Sequence, residues 1–347
     1  GIKVTTVGIL LVAALASLTN RGRVIAFRRE LPLRTVNLAM TVALLWLQLA
    51  IAAALILGAS NYLARSADVI ALKTGLGRSF IGVVLLATAT SLPELGTGVS
   101  SISLFNEPDL AAGDAFGSNI FNLLIIGLLD LFWRDGPILN RVGMTSVVVA
   151  ALGVAVIALA AAGVVIHHQT TTASGWYISP VSVVMLLVFV VAMYVIYKFA
   201  RAQPDEEQDE SARYESDSLS KSVITYTLAA AVVVTAAIWL ANTGDGLAEE
   251  MGWDASFVGT QFLAFSTSLP ELSAAFAAIR LRAPELAITG VLGSNLFNMG
   301  FILFFDDVAY TEGAFWSGIS EVHGLTAGIA ILMTAVVITA LVARPRE

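Results

Sequence analysis

The chain has 347 residues, of which 57% are hydrophobic and only 13% charged, with a formal net charge of −7 and a mean hydropathy of +0.82. A water-soluble domain needs far more charge to cover its surface, so the composition excludes one and defines an integral membrane protein. The absence of cysteine excludes disulfides and thiolate metal sites, and no nucleic-acid partner is expected.

From the N-terminus, a short apolar stretch at 4–19 is a weak helix candidate, followed by five Arg within 21–34. Windows of about 20 apolar residues then predict spanning helices near 40–62, 80–104, 109–132, 142–163 and 179–200. The segment Gln203–Asp217 holds seven carboxylates and reads as a cytoplasmic linker of disorder-like composition. Beyond it come candidates near 222–242, 255–279, 284–305 and 323–343. No run alternates with period two, which argues against a barrel. The fold expected is an all-α polytopic membrane protein of about 10 helices. Its parts are an N-terminal helix and Arg-rich loop (1–35), a first repeat (36–201), the linker (202–221) and a second repeat (222–347). The adjacent His167 and His168 are expected to be solvated in a polar loop.

Basic residues orient the helices. Lys and Arg occupy 65–78, Arg134 and Arg141, 198–221, Arg280 and Arg282, and Arg344 and Arg346, whereas the loops at 105–109, 164–178, 242–254 and 306–322 have none. That alternation assigns the first group to the cytoplasm and the second to the outside. Residues 21–34 break it, and whether 4–19 spans or lies along the interface stays open.

The same unusual segment occurs twice. Residues 90–95 and 267–272 both read TSLPEL; GSNIFN follows at 117–122 and GSNLFN at 293–298. Glu94 and Glu271 thereby stand at membrane depth beside Pro93 and Pro270. An ionised side chain there costs roughly 2.5–3.5 kcal/mol, so a repeated pair implies that the two hold something positive. Glu94 lies on the second helix of a half that begins outside, and Glu271 on the second helix of a half that begins in the cytoplasm. The halves are therefore inverted repeats, an arrangement that places binding sites near the midplane on broken helices. Proline within a helix removes a donor, so carbonyls near Ala89 and Thr90, and near Ser266 and Thr267, are expected to lose partners. Carbonyl, hydroxyl and carboxylate oxygens suit a hard cation; Ca²⁺ takes about 6–8 of them. Ser118 and Asn122, and Ser294 and Asn298, are spaced to share a helix face. Asp114 lies one turn further toward the outside; its counterpart is Gly290, so it breaks the symmetry. Gly117 and Gly293 permit close helix contact.

These paired segments resemble the two α-repeats of the cation/Ca²⁺ exchanger superfamily, in its sodium/calcium exchanger branch, as a prokaryotic or archaeal member. The resemblance implies Ca²⁺ on Glu94 and Glu271 with Thr90 and Thr267. It implies flanking Na⁺ sites at Ser91, Ser118, Ser268 and Ser294, with backbone carbonyls near Ala87 and Ala264, and Asn122 and Asn298 lining the centre. Many members carry Asp where this chain has Asn298, which weighs against potassium dependence. Asp114 would add a third negative charge along an external vestibule. The implied protein is a plasma-membrane antiporter whose partners are Ca²⁺, Na⁺ and the lipid bilayer, with no cofactor beyond the transported ions. The first helices of each half, 40–62 and 222–242, would slide to open either face. A Ca²⁺/H⁺ exchanger using the same glutamates and a cation channel are the alternatives. No nucleophile–base set or phosphate loop suggests an enzyme.

Overall fold

The computed structural model describes residues 31–169, 178–202, 216–252 and 264–343. The candidate at 4–19, most of the Arg-rich loop, most of the acidic linker and the start of the candidate at 255–279 lie outside the described residues. The chain divides into two compact units, 1–47 and 48–347. Of the described residues the first holds only the beginning of one helix, and the paired motifs lie wholly within the second.

The described residues are almost entirely helical, without a strand. In order, α1 is Leu31–Thr74. The run α2 joins Arg78–Ile81, a π-helical turn Gly82–Leu86, and Ala87–Phe105. Next come α3 (Pro108–Phe132), α4 (Met144–Gln169), α5 (Pro180–Ala202) and α6 (Leu219–Met251). The α7 pair is Ala264–Thr267 and Leu269–Arg280. The run α8 joins Pro284–Phe297, a π-helical turn Asn298–Ile302, and Leu303–Ala309. Last is α9, Val322–Val342. Eight of these are long and apolar enough to cross a membrane, α7 being the exception among the described residues. Large apolar side chains such as Leu187, Val191, Leu325, Leu332 and Val336 face outward, as a hydrocarbon solvent requires.

Helix lengths depart from the apolar windows where polar residues extend a helix. α1 continues through Arg65, Asp68 and Lys73, and α6 runs on to Met251. α4 reaches Gln169, which corrects the reading of His167 as a solvated loop residue. His167 is half-buried, with Nδ1 2.9 Å from the Gly163 carbonyl oxygen and its ring near Trp316.

The same helical hairpin is built twice. Asn106 ends α2 and Arg282 follows α7, both at positive φ (57° and 61°), each two residues before a proline that opens the next helix. The intervening Glu107 and Ala283 share one backbone conformation, with φ of −110° and −113°. Proline suits a first helical turn because its missing N–H would have no partner there. The acids that follow are also matched. Asp109 accepts from the backbone N–H of Ser320, just before α9, and Glu285 accepts from that of Gly143, just before α4. Each repeat thus pins the start of the other's fourth helix.

Loops sort by charge as expected. At one end Asn106 Nδ2 donates to Glu312 (2.7 Å), and Asp109 meets Ser320 and His323. At the other, Arg282 pairs with Asp135, and Glu285 accepts from Ser79 and Ser146. The basic loops gather at this second end.

The central helix is α8, whose residues Leu286–Phe297 are all buried. Small residues let α2 lie against it. A Cβ on Gly293 would stand 2.9 Å from Val83 Cα and 3.1 Å from Ala87 Cβ, and one on Gly290 would stand 3.1 Å from Leu86 Cδ2. Gly82 faces Thr289, Leu286 and Gly290 in turn. Close approach of the backbones is therefore built from glycine on both sides.

Candidate functional site

The two prolines act differently. Pro270 follows a true interruption: α7 stops at Thr267, Ser268 leaves helical geometry (φ −79°, ψ 2°), and the helix restarts at Leu269. Pro93 sits inside a continuous helix, so the expected break does not occur in α2, although a π turn lies upstream at Gly82–Leu86. A π turn shifts the backbone pairing by one residue and marks functional sites often. The displaced Leu85 carbonyl accepts from the Tyr226 hydroxyl (2.7 Å) on α6, and the Thr90 hydroxyl lies 3.0 Å from the Leu86 carbonyl and 3.3 Å from that of Ala87. Carbonyls freed inside a bundle are tolerated when protein groups re-satisfy them in this way.

Contacts across the repeats bring the motifs together. Thr90 Oγ1 lies 3.4 Å from Ser294 Oγ, and its repeat image, Thr267 Oγ1 with Ser118 Oγ, lies at 3.5 Å. Ser91 Oγ donates to Glu271 Oε1 at 3.1 Å. The image of that bond is missing: Ser268 Oγ and both oxygens of Glu94 have no hydrogen-bond partner, nor has Glu271 Oε2. Glu94 and Glu271 are 1% and 2% exposed, and Thr90, Ser91, Thr267, Ser268, Ser118, Ser294, Asn122 and Asn298 are all buried. Neither amide atom of Asn298 is partnered. Ala87 is buried at the junction of the π turn with the α-helix, and Ala264 opens the first piece of α7. No basic side chain pairs with either glutamate among the described residues.

Asp114 is expected along an external vestibule. Its carboxylate is instead buried, accepting from Thr97 Oγ1 (2.7 Å) and Thr267 Oγ1 (2.8 Å), and thus belongs to the same hydrogen-bonded network. Both features are private to the first repeat, because the positions matching Thr97 and Asp114 are Ala274 and Gly290. Asn122 Nδ2 donates to Asn295 Oδ1 at 3.0 Å, and Asn295 Nδ2 reaches the Asn119 carbonyl at 3.3 Å.

Three of these residues went unread in the sequence. Asn119 and Asn295 are identical in the two tags, a repeat signal that the four-residue spacing passed over. Thr97 gave no such signal, being unmatched in the second copy.

An isolated buried charge costs several kcal/mol. A cluster of buried carboxylate oxygens, most of them without a donor, ringed by hydroxyls and amides, is an acceptor-rich cage for a hard cation. Neither thiolate nor imidazole is present to favour a softer metal.

Comparison with known proteins identifies the family. A family model described as "Sodium/calcium exchanger protein" matches residues 44–198 and 221–346. Inner membrane protein YrbG of Escherichia coli is 26% identical over 259 residues, covering 72% of this chain and 75% of that protein. Sodium/calcium exchanger MaX1 of Methanosarcina acetivorans is 26% identical over 271 residues, covering 70% and 77%. Among solved structures, the sodium-calcium exchanger NCX_Mj, soaked with 100 mM Na⁺ and 10 mM Sr²⁺, superposes with a TM-score of 0.65 at 20% identity, covering 87% of this chain and 92% of that one. The chain belongs to the sodium/calcium exchanger family, a family of membrane transporters and not of enzymes. It is a multi-pass membrane protein of the cation/Ca²⁺ exchanger class.

Proposed function

We propose that this protein is a plasma-membrane antiporter that extrudes Ca²⁺ in exchange for Na⁺ at the site framed by Glu94 and Glu271. The observation that supports it most is the set of unpartnered, buried oxygens on Glu94, Glu271 and Ser268 beside the hydroxyl pairs that cross the repeats. Ca²⁺ takes the two glutamates with Thr90 and Thr267. Na⁺ takes the flanking positions at Ser91, Ser118, Ser268 and Ser294, with carbonyls near Ala87 and Ala264, and Asn122 and Asn298 complete the lining. Two carboxylates balance one Ca²⁺ or share Na⁺ ions, but so compact a cluster does not hold both loads together. Exclusive occupancy couples the two fluxes. Hydroxyl and amide oxygens favour sodium as counter-ion, because a proton carrier needs only the carboxylates. The names of MaX1 and NCX_Mj as sodium/calcium exchangers agree with this choice.

Radioactive Ca²⁺ uptake into Na⁺-loaded proteoliposomes, beside sodium-free vesicles bearing a proton gradient, tests the reading. Uptake driven by the sodium gradient is expected. Uptake with the proton gradient alone would reassign the glutamates as proton carriers. In the same assay Asp114→Asn should weaken transport without abolishing it. Removing one charge from the network is expected to raise the half-saturating Ca²⁺ concentration roughly tenfold, about 1.4 kcal/mol.

A further inference from the structure

Among the described residues, Glu94 and Asp306 are the carboxylates whose two oxygens are both buried without a hydrogen-bond partner. Glu94 belongs to the central cage; Asp306 has no role there. It sits near the end of α8, fully buried, packed against Gly98 of α2. A Cβ at Gly98 would stand 2.6 Å from Asp306 Oδ1 and 3.1 Å from Oδ2, so glycine is what leaves room for the carboxylate. The residue before Gly98 is Thr97, whose hydroxyl holds Asp114 Oδ2. One turn of α2 therefore touches both acids, which are near enough to repel one another, and Asp114 links that turn to Thr267 of the central cage. Asp307, next to Asp306, accepts from the Ser179 N–H at 2.8 Å and is already engaged.

The other repeat supplies an internal control. Asp130 follows Asn122 by eight residues, as Asp306 follows Asn298, and the position matching Gly98 is Ala275. Asp130 is exposed and accepts from the Ile138 N–H at 2.7 Å. The first repeat's acid is tied to backbone near water, whereas the second repeat's acid is buried, free and given space.

We propose that Asp306, with Asp114 and Thr97, forms a second cation site that takes Na⁺. It lies between the central cage and the end of the bundle where the α2–α3 and α8–α9 loops meet. A bare carboxylate suits it poorly: neither Asp306 oxygen receives a hydrogen bond, so its charge would be buried with nothing to offset it. A metal ion bound at about 2.4 Å from each ligand tolerates oxygens spaced more widely than a hydrogen bond. Ca²⁺ suits it less well, because it needs about 6–8 oxygens and Asp114 already accepts two hydroxyl bonds. Resting on the reading of the cage as a Na⁺/Ca²⁺ exchange site, this second site would hold sodium on its path to or from the cage.

The test is radioactive Na⁺ binding to the purified full chain carrying Glu94→Gln and Glu271→Gln, which removes both central carboxylates. Saturable Na⁺ binding should survive in this variant, disappear when Asp306→Asn is added, and weaken when Gly98→Ala is added instead. No saturable Na⁺ binding in the double variant, shown monodisperse and helical, would overturn the proposal. So would binding that Asp306→Asn leaves intact, or a residual site that takes only Ca²⁺. If Asp306→Asn does not fold, Gly98→Ala decides, since it keeps every charge and only crowds the carboxylate; unchanged Na⁺ binding there overturns the site. Failure of the central-site reading would show separately, as wild-type Ca²⁺ binding in the double variant.

Discussion

Glu94→Gln and Glu271→Gln are each expected to reduce Ca²⁺ flux through reconstituted vesicles to background while the protein remains folded. The two side chains are 1% and 2% exposed, and three of their four oxygens have no hydrogen-bond partner. Hydroxyls such as that of Ser91 are near them, but no basic side chain among the described residues balances their charges. At an effective dielectric constant of about 20, a unit charge about 4 Å away contributes about 4 kcal/mol, equivalent to roughly a thousandfold in affinity. Neutralising either glutamate removes that attraction. It also removes a buried charge, so thermal stability measured without cations should hold or rise. Wild-type flux in either variant would contradict the assignment. Lost flux together with a collapsed melting temperature would make the glutamates structural instead.

The second large effect is expected at Gly293→Val. This glycine meets α2 where a Cβ would stand 2.9 Å from Val83 Cα, a backbone atom that cannot swing aside. Two further methyl groups must push α8 off the π turn of α2. Overpacking of this kind costs typically about 1–3 kcal/mol. Because Ser294 is the next residue, the same displacement carries its hydroxyl away from Thr90, now 3.4 Å distant. A lower melting temperature in detergent and slower Ca²⁺ uptake should appear together. An unchanged melting temperature would mean that the helix contact is looser than described.

The central cage was legible because the chain states it twice. Repetition singled out Glu94, Glu271 and the hydroxyls beside them, and charge alternation sorted the loops to the ends where the structure gathers them. What stayed hidden depended on departures from the repeat or on backbone accommodation. Pro93 and Pro270 look alike in sequence, yet one helix runs on through its proline while the other stops and restarts at Ser268. Asp114 reads as a solitary charge on an outward turn until its partners Thr97 and Thr267 are seen. Asp306 lies at the end of an apolar window, where a carboxylate looks like the beginning of a loop; only Gly98, two hundred residues earlier, reveals that it is enclosed. The polar extensions of α1 and α6 were missed because an apolar window measures what hydrocarbon can hold and not where a helix ends.

If Ca²⁺ and Na⁺ contend for one set of oxygens around Glu94 and Glu271, equilibrium binding of radioactive Ca²⁺ to the purified protein must respond as Na⁺ is raised at constant ionic strength. Complete displacement of Ca²⁺ is expected, with a steep Na⁺ dependence as several ions replace one. Ca²⁺ that remains bound at saturating Na⁺ would show that the two ions do not share the site.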